Sequence, residues 1–232
     1  MIGVFAGIWL LELVLPLSWT WPVSSFLSFV PARLALDFPS GVPAFLLSAV
    51  TYQFLHADFG HVAFNAVWML IFGTIVARRI ELKSFIAFFV VCGAIGAAVH
   101  LLLSPGSGIP VVGASGAISG LMGAVGRFAL FPPQGGFHLS MQQGAPGHGP
   151  LVPLSDRRLQ AFAGVWIVIN LVFGLGSGLS SGGSQLIAWD IHIAGLLAGL
   201  VLFPKFDAWR SPPRGGGGPD RKKDAPYLRR VK

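Results

Sequence analysis

Three long stretches of the chain, residues 59–77, 84–126 and 159–189, contain no Asp, Glu, Lys or Arg. About 20 apolar residues cross a bilayer as a helix, so each stretch holds one span or two. Where polar or Gly/Pro-rich joints interrupt the apolar pattern, it predicts six helical spans. They cover roughly residues 2–20, 58–77, 84–104, 113–131, 159–179 and 187–203. Between the first two, Pro22, Pro31, Pro39 and Pro43 interrupt a segment still rich in Phe, Leu and Val. Proline removes a backbone donor and clashes with the preceding turn. Residues 21–57 are therefore expected to form a loop lying partly in the membrane surface. Residues 132–158 make a second joint, polar and rich in Gly and Pro. The expected fold class is an all-α membrane protein: a six-transmembrane-helix bundle over residues 1–204. A basic Pro/Gly-rich tail over residues 205–232 is expected to be disordered and cytoplasmic.

Composition supports that class. Of 232 residues, 53% are hydrophobic and 11% are charged, against about 25% charged in a soluble domain. So few charges could not cover a soluble globule, and a chain this apolar is no disordered polymer. The net charge of +7 raises nucleic acid as a partner, but nine of the 16 basic residues follow Phe203. A basic tail of that kind suits an anionic membrane surface, and no nucleic-acid partner is expected. Lys and Arg also set the orientation. With the amino terminus inside, Arg78, Arg79, Lys83, Arg157, Arg158 and the tail are cytoplasmic, Arg127 is near the inner end of the fourth span, and only Arg33 is outside. The expectation is a multi-pass protein of the cell membrane with both termini in the cytoplasm. The opening run lacks a basic segment and is long for a signal peptide, so cleavage is not expected. Cys92 is the single cysteine, which rules out an intramolecular disulfide and reads as a packing residue. Trp19, Trp21, Trp189 and Trp209 fall near span ends, where indoles favour the interface.

Polar groups within apolar runs require a partner or a function. Glu12, His61, Asn65, His100, Ser115, Ser119, Asn170, Asp190 and His192 are such groups. Glu12 is expected to face the bundle, His100 to pack, and Asn170 to bond between helices. Trp166 or Phe173 could instead mark a gate beside the fifth span. His138 and His148 lack the company of a metal site.

His61 and Asn65 are spaced i, i+4, one turn apart on one helix face. Ser115 stands in GASG (Gly113–Gly116) at the start of the fourth span, and His192 lies near the start of the sixth. The second, fourth and sixth spans all run from outside to inside, so these residues share one depth, within about 10 Å of the outer boundary. Gly113, Gly116, Gly120, Gly123 and Gly126 give the fourth span a small face, and Gly195 and Gly199 do so for the sixth. Small residues let membrane helices approach, which would bring Ser115 Oγ within reach of His192. The chemistry this permits is acyl transfer: a serine nucleophile, an imidazole base, and fixed donors for the oxyanion. His61, the Asn65 amide and the Ser115 backbone N–H are the candidate oxyanion donors. Asp190 stands at i−2 from His192, on a different helix face, so a Ser–His dyad is expected rather than a triad.

FLHADFGHVAFN (Phe54–Asn65), GASG (Gly113–Gly116) and HIAGLLAG (His192–Gly199) resemble the three signature motifs of rhomboid intramembrane serine proteases. The resemblance covers the second to sixth spans in order. It implies Ser115 as nucleophile, His192 as base, and His61 and Asn65 as oxyanion-hole side chains, in a cavity open to the outside. It also implies cleavage of single-pass transmembrane proteins near their outer ends, with no metal and no cofactor. The chain departs from the common pattern in three places. No Trp-Arg pair occurs in residues 21–57, Ser119 stands where an aromatic is frequent, and Ile191 precedes the base. Two rival readings are a silent relative that only binds membrane helices and a small transporter. Ser115 and His192 are both present, against the first. The second should show midplane carboxylates and repeat symmetry, which the sequence lacks.

Overall fold

The computed structural model describes residues 1–36, 41–131, 151–180 and 188–207. Its helices are α1 (Ile2–Val14), α2 (Leu17–Leu27), α3 (Arg33–Leu36), α4 (Val42–Phe54), α5 (Phe59–Ala77), α6 (Leu82–Leu103), α7 (Ser115–Phe128), α8 (Arg157–Ser180) and α9 (Trp189–Phe206). Among the described residues, α5, α6 and α9 are long and apolar enough to cross a membrane. α7 is shorter, and every residue from Gly116 to Phe128 is buried. It forms the centre of the bundle, packed by α5, α6, α8 and α9.

The amino-terminal region differs most from the sequence expectation. The apolar pattern predicts one helix over residues 2–20, whereas the chain breaks at Leu15 and restarts as α2 at Leu17. Pro16 causes the break. It has no N–H to donate back into α1, and it forces the preceding residue out of helical geometry, so Leu15 is extended at ψ 151°. Glu12 accepts a hydrogen bond from Ser24 Oγ on α2, which ties the corner together. Trp19 and Trp21 therefore lie on a separate helix, largely exposed, rather than at the end of a span. The proline-rich stretch expected as a loop is helical in pieces, and Phe45, Tyr52 and Gln53 within it are buried. Phe29 and Val111 exchange backbone hydrogen bonds of 3.0 and 2.8 Å, and Ala32 N–H donates to Ser107 O at 3.0 Å. These bonds dock the α2–α3 connection onto the loop that leads into α7.

The helices α5 to α9 start and end within a few residues of the positions predicted for the remaining spans. α5 carries a π turn at Met69–Gly73, across which the rings of Trp68 and Phe72 stack at 5.3 Å. Asp156 caps α8: its carboxylate accepts from the Arg158 and Leu159 N–H groups. The Arg158 side chain beside it holds that carboxyl down to about 2. α9 runs to Phe206, and the Asp207 carboxylate is buried against Arg79, with Nη2 to Oδ2 at 2.7 Å. Packed structure thus extends past residue 204. The Arg79 guanidinium also sits 4.6 Å from the Phe128 ring centroid. The joint at 132–150 with His138 and His148, and the tail from residue 208 with Trp209, lie outside the described residues.

α7 and α9 cross in backbone contact. A Cβ at Gly195 would fall on the Gly116 carbonyl, and one at Gly199 on the Gly120 carbonyl. At Gly123 it would lie 2.5 Å from Leu196 O. Only glycine allows these approaches.

Candidate active site

α5 begins at a cap. Asp58 Oδ1 accepts from His61 N–H at 2.8 Å, which seats His61 in the first turn, with Asn65 one turn further along the same face. Asn65 is buried, and its Nδ2 donates to His61 O at 3.1 Å. His61 Nδ1 faces the Ala57 N–H at 3.5 Å, which leaves Nε2 toward Gly113. Gly113 has φ +114°, and a Cβ there would lie 2.5 Å from His61 Nε2 and 3.7 Å from Asn65 Nδ2. Its N–H donates to Tyr52 O at 2.9 Å. Two residues later Ser115 opens α7, where the first amides have no acceptor within the helix.

His192 stands in the first turn of α9, opposite Ser115. His192 Nε2 and Ser115 Oγ are 2.7 Å apart, both residues partly buried. The structure therefore brings Ser115, His192, His61 and Asn65 to the starts of α7, α9 and α5. The glycine-on-carbonyl crossing of α7 and α9 explains how side chains as short as serine and histidine meet.

Four other polar residues have partners that the sequence did not reveal. Asn170 Oδ1 lies 2.8 Å from His192 Nδ1, and Asn170 Nδ2 donates to Trp166 O at 2.9 Å. The Asn170 amide thus bonds the imidazole that faces Ser115. An asparagine in an uncharged run was visible in the sequence, but its register against His192 depends on how α8 packs on α9. Asp190 turns away from His192. Its Oδ2 is 2.7 Å from His100 Nδ1, and its Oδ1 accepts from Ile191 N–H at 2.9 Å. His100, expected only to pack, pairs with that acid. His56 packs edge-on against His61, with ring centroids 5.1 Å apart; nothing in the spacing alone had singled it out.

The departures from the common motif occupy the same neighbourhood. Ile191 is buried with its Cγ2 against Gly96 and Gly116. Ser119 is buried one turn after Ser115. Trp166 meets Trp68 edge-on at 6.5 Å, whereas Phe173 is exposed.

A family model described as the Rhomboid domain matches residues 45–206. The chain belongs to the rhomboid family. The match begins inside α4, ends on the last residue of α9 and includes every residue of the site just described. Rhomboids are intramembrane proteases of the serine type, and this rhomboid is an integral membrane protein whose apolar helices fit that setting. Comparison with curated proteins gives no match.

Proposed function

We propose that this rhomboid is an endopeptidase that cleaves single-pass transmembrane proteins near the outer membrane face, with Ser115 as nucleophile and His192 as base. The observation that carries the reading is the 2.7 Å separation of Ser115 Oγ and His192 Nε2. In the first step Oγ attacks the scissile carbonyl and its proton passes to Nε2. The carbonyl oxygen becomes an oxyanion. His61 Nε2, Asn65 Nδ2 and the Ser115 N–H act as its donors, and the positive end of the α7 dipole adds to them. The imidazolium then gives its proton to the leaving amine, which departs as the peptide bond breaks. Water attacks the acyl-enzyme with Nε2 again taking the proton, and collapse returns it to Ser115 Oγ. The carboxyl product leaves and the starting state is restored.

Six spans, both termini in the cytoplasm and the starts of α5, α7 and α9 facing outward complete the proposal. The basic residues of the α5–α6 connection and the tail support this orientation. A fluorophosphonate probe tests the chemistry. Purified protein should be labelled on Ser115, and the Ser115→Ala variant should neither be labelled nor cleave a transmembrane substrate in liposomes. Near-normal cleavage by Ser115→Ala, with contaminating proteases excluded, overturns the reading.

A further inference from the structure

We infer that Asn170 is the positioning residue for the base: its amide fixes which nitrogen of His192 carries the proton and so makes Nε2 ready to receive the serine proton. The inference rests on the Ser115–His192 chemistry proposed above and adds a member on a third helix, α8. The polarity of the whole relay follows from one atom that cannot change roles. Trp166 O is a backbone carbonyl and can only accept, so the Asn170 atom 2.9 Å from it is the NH2 group. The amide oxygen must then face the ring, 2.8 Å from His192 Nδ1. That oxygen can also only accept, so Nδ1 carries the proton in the neutral ring. Nε2 is left with its lone pair toward Ser115 Oγ at 2.7 Å, and the serine hydroxyl donates to it.

The acid nearest in sequence is not part of this relay. Both oxygens of Asp190 are engaged, with His100 and with the Ile191 N–H. The group orienting the base is thus a neutral amide, buried within a run that has no charged residue from 159 to 189. A carboxylate at that place would have to be desolvated in the bundle. An amide oxygen orients the ring without that cost, although it brings no charge to stabilise the imidazolium. The contribution expected of Asn170 is therefore smaller than the ~10⁴-fold lost when the orienting acid of a Ser-His-Asp triad is neutralised.

Two substitutions separate positioning from packing. Asn170→Leu is close in size and has no acceptor for His192. Asn170→Asp keeps an oxygen for His192 and loses the donor to Trp166 O. Kinetics on a transmembrane substrate in liposomes should show kcat down about 10–10²-fold in Asn170→Leu, with KM within twofold, and should show Asn170→Asp restored to within tenfold of wild type. Imidazole ¹⁵N spectra of histidine-labelled protein provide a reading independent of the variants. The His192 resonances, assigned by their loss in His192→Gln, should show a proton on Nδ1 and none on Nε2 in the neutral wild type. Three results overturn the inference: an Nε2-protonated ring in the wild type, unchanged kcat in Asn170→Leu, or Asn170→Asp as impaired as Asn170→Leu. If Asn170→Leu does not fold, the wild-type spectrum and Asn170→Asp decide. Ser115→Ala run in parallel keeps the two readings apart, since its residual cleavage would count against the protease chemistry and not against Asn170 alone.

Discussion

In the proposed mechanism Ser115 and His192 each supply a reacting atom, whereas His61 and Asn65 each supply one donor among several. Replacement of either of the first pair by alanine should leave no detectable cleavage by folded protein. The double variant should be no worse than either single one, because the pair works as a unit. His61→Ala and Asn65→Ala should lower kcat about 10²–10³-fold, or roughly 3–4 kcal/mol, with KM little changed, since these donors act mainly in the transition state. Steady-state kinetics on one substrate check both statements. Gly113→Ala should damage both activity and folding. Its φ of +114° costs a non-glycine residue about 1–3 kcal/mol, and the added methyl would meet His61 Nε2. Comparison of kcat and thermal midpoint with wild type checks this. The placement of Ser115, His192, His61 and Asn65 at helix starts was legible in the sequence because each sits at a fixed offset within its own helix. Asn170 was legible only as a polar residue. Its bond to His192 crosses between two helices, and no spacing along one chain segment encodes that register.

Local sequence rules predicted the elements well where each helix follows its own pattern and poorly where one proline decides. The apolar run from Ile2 onward reads as continuous, yet Pro16 within it ends one helix and starts the next. Weighting the proline above the hydropathy would have found the break. The far end of the bundle holds a pairing of another kind, Arg79 with Asp207, separated by most of the chain. Charge counting placed Arg79 in a cytoplasmic loop and left Asp207 in the tail, because each is polar and lies beside a span end. Removing one partner of a buried ion pair typically costs about 3–5 kcal/mol. Arg79→Ala or Asp207→Ala should therefore lower the thermal midpoint in detergent sharply while kcat at low temperature stays near wild type. A loss of kcat with an unchanged midpoint would show that the pair serves the site instead.

At the scale of the molecule, the orientation proposed from Lys and Arg can be read with reporters. Fusions within residues 140–150 and at the carboxyl terminus should report cytoplasm, and one near Gly106 should report the outside. An external carboxyl terminus would put the starts of α5, α7 and α9 on the wrong side of the membrane. The bundle class was evident from uncharged stretches alone, whereas the central position of α7 was not, since a Gly-rich helix looks weakly apolar by composition and is enclosed only because its neighbours fit its small face. The seats of Gly195 on Gly116 O and Gly199 on Gly120 O have a consequence for tolerance to mutation. Backbone against backbone has no rotamer with which to absorb an added methyl, so a single alanine there must wedge apart the two helices that carry Ser115 and His192. A misplacement of about 1 Å can cost a reaction 10²-fold. In an unbiased mutant library scored for both membrane insertion and cleavage, these glycines should emerge as positions that never touch a substrate and yet behave as though they did.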